Sequence, residues 1–306
     1  MDPQSSPEGL EGAVAAIGNF DGVHRGHRAV IRRAEALAER LGRPCAVVTF
    51  EPHPSDFFLG RDTIFRLTPC DTKALILARL SVRGMIVLNF DAAFAALSAD
   101  AFVEDVLVRR LGLSAVVAGY DFHFGRGRSG TPNFLAEAGP RHGLDVEIVP
   151  PILADESGSI AAVSSTAIRQ ALELGDVERA GHLLGHPYFV IGEVIHGDKR
   201  GAGLGFPTAN LRLDPSNRLR HGIYAVEVRI GQARYSGVAS FGRRPTFDNG
   251  PPLLEVFIFD FSGDLYGQML EVAFRSFIRE EEKFSSIEDL KAQMKQDEAA
   301  ARDILR

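Results

Sequence analysis

The apolar residues of this chain change their period near residue 186, and that change limits the fold more than any single motif. Before it, near-continuous apolar runs at 13–20, 45–50, 84–90, 115–122 and 144–149 alternate with segments of helical spacing. Runs of that kind read as strands buried on both faces, which calls for a parallel, doubly wound sheet with helices on each side. After it the apolar period is two. The stretch 223–230 is the cleanest case, with Tyr224, Val226, Val228 and Ile230 on one side and Ala225, Glu227 and Arg229 on the other. Runs at 189–195, 235–240, 253–260 and 269–277 follow without crossover helices, which predicts an antiparallel sandwich or small β-barrel. The expected fold class is therefore α/β plus β, with domains at 1–185 and 186–306. A length of 306 residues suits two domains at roughly 150 residues each.

Punctuation along the chain refines this. The face Val30, Ala34, Leu37, Ala38 and Leu41 predicts a first helix stopped by Gly42. Asp71 is expected to cap a helix over 73–80, and another helix runs from after Asp100 to Gly112. Thr131-Pro132 is a cap followed by a first-turn proline. A helical pair spans 165–174 and 176–184, stopped by Gly175 and Gly185. The chain ends in a helix with Ser285 and Glu288 as the expected capping box.

Composition narrows the function classes. A net charge of −6 argues against nucleic acid or an anionic membrane as the main partner. No apolar run approaches the ~20 residues of a membrane span, and residues 1–12 lack the basic-plus-apolar signature of a signal peptide. The two cysteines, Cys45 and Cys70, do not suggest a disulfide framework, which favours the cytosol.

Chemistry concentrates in a few motifs. Gly201-Ala202-Gly203-Leu204-Gly205-Phe206-Pro207-Thr208-Ala209-Asn210 joins a glycine-rich turn to a hydroxyl and an amide. Backbone N–H groups can wrap phosphate there because no Cβ blocks them. Thr208 and Asn210, two apart on a strand, face the same way and suit Mg²⁺ as hard oxygen ligands. The alternative is an ordinary glycine-rich hairpin. Gly18-Asn19-Phe20-Asp21-Gly22-Val23-His24-Arg25-Gly26-His27 follows an apolar strand and opens a helix, a natural anion site. His24 and His27, three apart, are expected to project together from the first turn and donate to phosphate.

Three further places invite two readings each. Ser164-Ser165-Thr166-Ala167-Ile168-Arg169 stands at a helix start, as a phosphate site or a simple cap. Gly119-Tyr120-Asp121-Phe122-His123-Phe124-Gly125-Arg126-Gly127-Arg128 leaves a strand, either to grip a planar ring and a phosphate or as a plain strand end and loop. Glu255 opens an apolar strand, where a carboxylate needs an ion-pair partner or a job such as general base. Glu280, Glu281, Glu282 and Lys283 read as a solvated charge run.

Together these residues resemble the prokaryotic bifunctional riboflavin kinase/FAD synthetase family over nearly the whole chain. The N-terminal half resembles the FMN adenylyltransferase module, a nucleotidyltransferase-like sheet, in the motif at 18–27, in Thr49-Phe50-Glu51-Pro52-His53-Pro54, in 119–125 and in 164–169. The C-terminal half resembles the riboflavin kinase barrel in Gly205-Phe206-Pro207-Thr208-Ala209-Asn210, Gly242-Arg243-Arg244-Pro245-Thr246, Leu254-Glu255-Val256 and Leu265-Tyr266-Gly267. Ala202 departs from the family, which often carries arginine there; Lys199 or Arg200 is expected to substitute.

The resemblance implies two ATP-dependent reactions. Riboflavin and ATP give FMN and ADP, and FMN with a second ATP gives FAD and pyrophosphate. Glu255 is implied as the kinase base, with Thr208 and Asn210 as Mg²⁺ ligands and Gly197, Lys199, Arg200, Gly201 and Gly205 in the phosphate flap. His24, His27 and Arg169 are implied as catalytic in adenylyl transfer. Gly18, Asn19, Phe20, Asp21, Ser164, Ser165 and Thr166 are implied around ATP, and Asp121, Phe122 and Arg244 around flavin. No nucleic acid, membrane or obligatory protein partner is expected. Two rivals are an adenylyltransferase whose barrel only senses flavin, and a nucleotidyltransferase whose barrel binds RNA. Intact Glu255, Thr208 and Asn210 count against the first; acidic charge and the absence of tryptophan count against the second.

Overall fold

A five-stranded parallel sheet and a closed barrel divide the chain between them. The computed structural model describes residues 3–60, 64–152, 163–196, 206–242 and 252–306, and its internal contacts separate two units, Met1–Ser165 and Thr166–Arg306.

In the first unit β1 (Val14–Ile17), β2 (Cys45–Glu51), β3 (Gly84–Asn89), β4 (Ala115–Gly119) and β5 (Asp145–Val149) lie in the order β3-β2-β1-β4-β5. β1 is central and pairs in parallel with β2 and β4, Val14 standing opposite Cys45 and Ala115. All four of its residues are buried, as a strand covered on both faces must be. Alternate residues serve two layers. Ala15, Ile17, Ala46, Val48, Val116 and Ala118 pack with Phe102, Val103, Val106 and Leu107 of the helix Phe102–Arg110 and with Leu135 and Ala138 of the helix Pro132–Arg141. α1 (Arg25–Leu41) packs on β1, β2 and β4 through a separate set, Val30, Ile31, Ala34, Leu37 and Ala38, and so covers the other face. Strand order reverses between β1 and β4, where the carboxyl ends of an open α/β sheet leave a crevice for ligands.

Some expected boundaries move. The first strand stops at Ile17 instead of Phe20, because Phe20 takes a left-handed conformation, φ 48°. Leu41 is 40% exposed, and Ile31 takes its place in the buried face of α1. Asp71 does not cap α3 (Cys70–Ala78); extended Pro69 precedes the helix, and Asp71 sits in the first turn beside the positive end of the dipole.

In the second unit β6 (Phe189–Ile195), β7 (Thr208–Arg212), β8 (Gly222–Ile230), β9 (Ala233–Gly242), β10 (Leu253–Ile258) and β11 (Met269–Arg279) close in the order β10-β7-β6-β11-β8-β9. Leu211, Tyr224, Val226, Val228, Leu254, Val256 and Val272 are fully buried at alternate strand positions and form the interior. The Tyr224 hydroxyl donates to Arg220 O at 2.6 Å, so the buried phenol keeps a partner. The terminal helix Ile287–Ile304 packs on β8, β9 and β11, and Asp297 accepts two bonds from Arg279, at 2.8 and 2.7 Å. Its cap is Ser286, which accepts from Asp289 N; the expected box at Ser285 and Glu288 is shifted by one residue.

The helical pair Ser165–Glu173 and Val177–Leu184 falls almost wholly in the second unit. Arg220 reaches it through backbone N to Leu172 O and Nη1 to Leu174 O, at 3.0 and 3.1 Å. The units therefore part well before the change of apolar period. No helix among the described residues is long and apolar enough to cross a membrane.

Candidate functional sites

The loop after β1 is built to present donors. His24 is the cap residue of α1, not a first-turn residue: its Nδ1 accepts from His27 N at 3.2 Å. With Nδ1 accepting, the ring proton stands on Nε2. The two imidazoles stack with centroids 3.5 Å apart and 15° between planes, and Phe20 meets His27 edge-on at 5.2 Å. A Cβ at Gly26 would come within 3.1 Å of the His24 ring, so glycine there lets the ring lie against the backbone. The first turn of α1 carries no acidic residue, which leaves the positive end of its dipole uncompensated.

A buried polar network supports this loop. The Asp21 carboxylate is turned inward and accepts from Thr68 N at 2.9 Å and Leu67 N at 3.2 Å. Gly22 N donates to Thr68 Oγ1 at 2.8 Å. Asn19 O accepts from Thr49 Oγ1 and from Lys73 Nζ, at 3.0 and 2.9 Å. Glu51 at the end of β2 pairs with Arg66 at 2.5 Å, and His53 caps α2 (Pro54–Leu59) by accepting from Ser55 N. Burial pulls the Lys73 ammonium below its ordinary range, against the opposing charges of Glu51 and Asp21.

The other residues that the sequence singles out in this half are distributed as follows along the fold. Ser165 Oγ donates to Asp21 O at 2.9 Å, which ties the helix start to the loop. Gly18 and Asn19 lie in the loop, half-buried, and Ser164 is half-buried beside Ser165. Thr166 is exposed and Arg169 half-buried on the helix that Ser165 opens. Asp121 and Phe122 follow β4, across the switch point from the β1 loop. Asp121 is exposed, and Phe122 stacks on Phe124 at 5.4 Å. Asp121 O accepts from His123 Nδ1 at 2.9 Å.

In the second unit strand register does the positioning. Glu255 on β10 stands opposite Asn210 on β7 and opposite Ser240 on β9. Residues directly opposite share a face. Leu254 and Val256 point inward, so Glu255, Asn210 and Ser240 share the outer face, with Thr208 two residues from Asn210 on the same side. Asn210 is 6% exposed, and its Nδ2 donates to Thr208 O at 3.3 Å, which turns Oδ1 away from that carbonyl. The donor set is one hydroxyl and one amide oxygen beside a carboxylate, all hard oxygens of the kind Mg²⁺ prefers. Gly197, Lys199, Arg200, Gly201 and Gly205, with Ala202, lie outside the described residues, as does Arg244.

Sequence reasoning missed two residues here. Lys73 gave no signal because its partners are 24 and 54 residues away in the chain. Glu281 falls in what the sequence predicts to be a solvated charge run, yet its carboxylate fills the space that a Cβ at Gly242 would need. Gly242 lies two residues from Ser240 on the same face. Partial burial, and then the charge of Glu255, push the Glu281 carboxyl above its ordinary range.

Comparison with known proteins also finds two parts in the chain. A family model for FAD synthetase matches residues 6–167, and one for riboflavin kinase matches residues 184–305. A protein of Haemophilus influenzae described as a bifunctional riboflavin kinase/FMN adenylyltransferase is 43% identical over 294 residues, covering 96% of this chain and 94% of the relative. Relatives with the same description from Escherichia coli K12 and Bacillus subtilis are 41% and 39% identical, covering 96% and 94% of this chain and 93% and 91% of their own lengths. Among solved structures, one from Streptococcus pneumoniae, described as a macrolide-efflux protein, superposes with a TM-score of 0.84 at 35% identity, covering 95% of this chain and 94% of its own.

Proposed function

The chain belongs to the bifunctional riboflavin kinase/FMN adenylyltransferase family, and from that premise we propose how its residues divide the two activities. It is a riboflavin kinase and an FMN adenylyltransferase. Residues 1–185 carry adenylyl transfer and 186–306 the kinase; the matched segments 6–167 and 184–305 support that assignment.

In the kinase, the ribityl 5′-hydroxyl of riboflavin attacks the γ-phosphorus of ATP, its proton passes to Glu255, and ADP leaves. The observation that carries this is register: Glu255 stands directly opposite Asn210 on the outer face that also holds Thr208. Thr208 and Asn210 would hold Mg²⁺, which neutralises phosphate charge when bound. By resemblance Gly197, Lys199, Arg200, Gly201 and Gly205 close over the phosphates, and Arg244 meets the flavin.

In adenylyl transfer, a phosphate oxygen of FMN attacks the α-phosphorus of a second ATP, and the bond to pyrophosphate breaks. That nucleophile is already ionised near neutral pH, so no strong base is required. The task is to bring two anions together in fixed geometry. His24 Nε2, His27 and the α1 N-terminus supply donors, with Gly18, Asn19, Phe20, Asp21, Ser164 and Ser165 forming the cradle. The resemblance extends the same role to Thr166 and Arg169. By resemblance Asp121 and Phe122, which follow β4 across the switch point, meet the flavin. A cytosolic location belongs to the same proposal.

The test is product chromatography after incubating the pure protein with riboflavin, ATP and Mg²⁺. FMN followed by FAD is expected. FAD formed only from supplied FMN would make the barrel a flavin-binding module; FMN alone would remove the adenylyl site.

A further inference from the structure

Behind the loop that follows β1 lies a lysine whose side chain is 1% exposed. Lys73, from α3, donates to Asn19 O at 2.9 Å and to Thr49 Oγ1 at 3.0 Å, and stands 3.6 Å from Glu51 Oε1. Burying a cation is costly unless it makes bonds that matter. The ion pair alone does not account for it, because Glu51 is already held by Arg66 at 2.5 Å.

What Lys73 fixes is the Asn19–Phe20 peptide. A trans peptide is planar, so its N–H points opposite to its C=O. The carbonyl is drawn back onto Lys73 and Thr49. The N–H of Phe20 is therefore turned away from them, and it meets no acceptor among the described residues. Phe20 also takes φ 48°, a left-handed conformation that is costly for a bulky residue. Two donors on the preceding carbonyl oppose its relaxation. An ammonium on the oxygen further polarises the peptide and strengthens its N–H as a donor.

We propose that Lys73 is a positioning residue for adenylyl transfer: it clamps the Asn19 carbonyl so that the Phe20 N–H faces the triphosphate of ATP. This rests on the assignment of the β1 loop to ATP made above. Lys73 does not touch the substrate; it acts through the peptide.

The variant Lys73→Met, in the full chain, keeps the length of the side chain and removes its donors. Glu51 retains Arg66 and Asn19 O retains Thr49, so folding is expected to survive. The expected result is a fall of roughly 10²-fold in the kcat of FMN adenylylation, the scale of one lost preorganised donor. KM for ATP should change much less, and riboflavin phosphorylation should be unchanged. Thr49→Val, with Lys73 kept, should lower the same kcat by a smaller factor. Unchanged adenylylation by folded Lys73→Met would overturn the proposal, and so would an equal fall in both activities that tracks melting temperature. If Lys73→Met is not recovered folded, Thr49→Val decides by the same criterion. His24→Ala is measured alongside. Should it leave adenylylation intact, the assignment of the loop to ATP fails, independently of Lys73.

Discussion

The two proposed sites reach their geometry by opposite means. In the first unit a short irregular loop carries the donors, and its shape is imposed from behind by Asp21, Thr49, Thr68 and Lys73. In the second unit Thr208, Asn210 and Glu255 stand on regular strands, and pairing register alone sets them side by side. A loop site needs a buried supporting network. A strand site needs only a closed sheet and a face left free of the core. The first is vulnerable at residues that never meet substrate, and the second mainly at the residues that do.

The comparison breaks most sharply at the residues proposed to act on substrate. Glu255→Gln should lower riboflavin phosphorylation by about 10²–10⁴-fold, the usual worth of a positioned base, with FMN adenylylation intact. His24→Ala should do the reverse, with a loss of about 10²–10³-fold. Steady-state rates of both reactions on each folded variant check this.

Supporting residues come next. Asp21→Asn weakens an acceptor of two backbone N–H groups and should destabilise the first unit by about 1–3 kcal/mol. Denaturant unfolding measures the loss, and kinase activity should persist where adenylylation has gone. Gly26→Ala should lower adenylylation by about tenfold although alanine is the better helix former by about 1 kcal/mol. The expected cause is displacement of the His24 ring, whose Cε1 lies 3.1 Å from the new Cβ. The smallest effect is expected at Gly242→Ala. The group it meets is the end of the flexible Glu281 side chain, so the carboxylate should swing aside. Kinase activity should change only a few-fold, within the ordinary range of about 1 kcal/mol for a substitution that nearby groups can absorb. A loss as large as that of Glu255→Gln would mean that strand sites also depend on supporting residues.

Much of this was legible in the sequence, for the reason that separates the sites. Period and register are local properties of a strand, so the barrel and the shared face of Thr208 and Asn210 follow from spacing. The glycine loop announced its position after β1 and before α1. Its internal geometry did not follow. The apolar pattern carries the first strand on to Phe20 because a left-handed phenylalanine has no local signature, and spacing alone puts His24 in the first turn although it caps the helix. Lys73 was one more polar residue of a helix until the fold brought it beneath Asn19. The terminal helix cap moved from Ser285 to Ser286 because adjacent serines offer the same local chemistry.

The most direct test of the central claim, two separable sites in one chain, is a mixing experiment. His24→Ala and Glu255→Gln are each incubated with riboflavin, ATP and Mg²⁺, separately and together, and FMN and FAD are resolved by chromatography. His24→Ala should give FMN only, Glu255→Gln should give no product, and the mixture should give FAD as FMN passes through solution. Either folded variant losing both activities, or a mixture that makes no FAD, would contradict that claim.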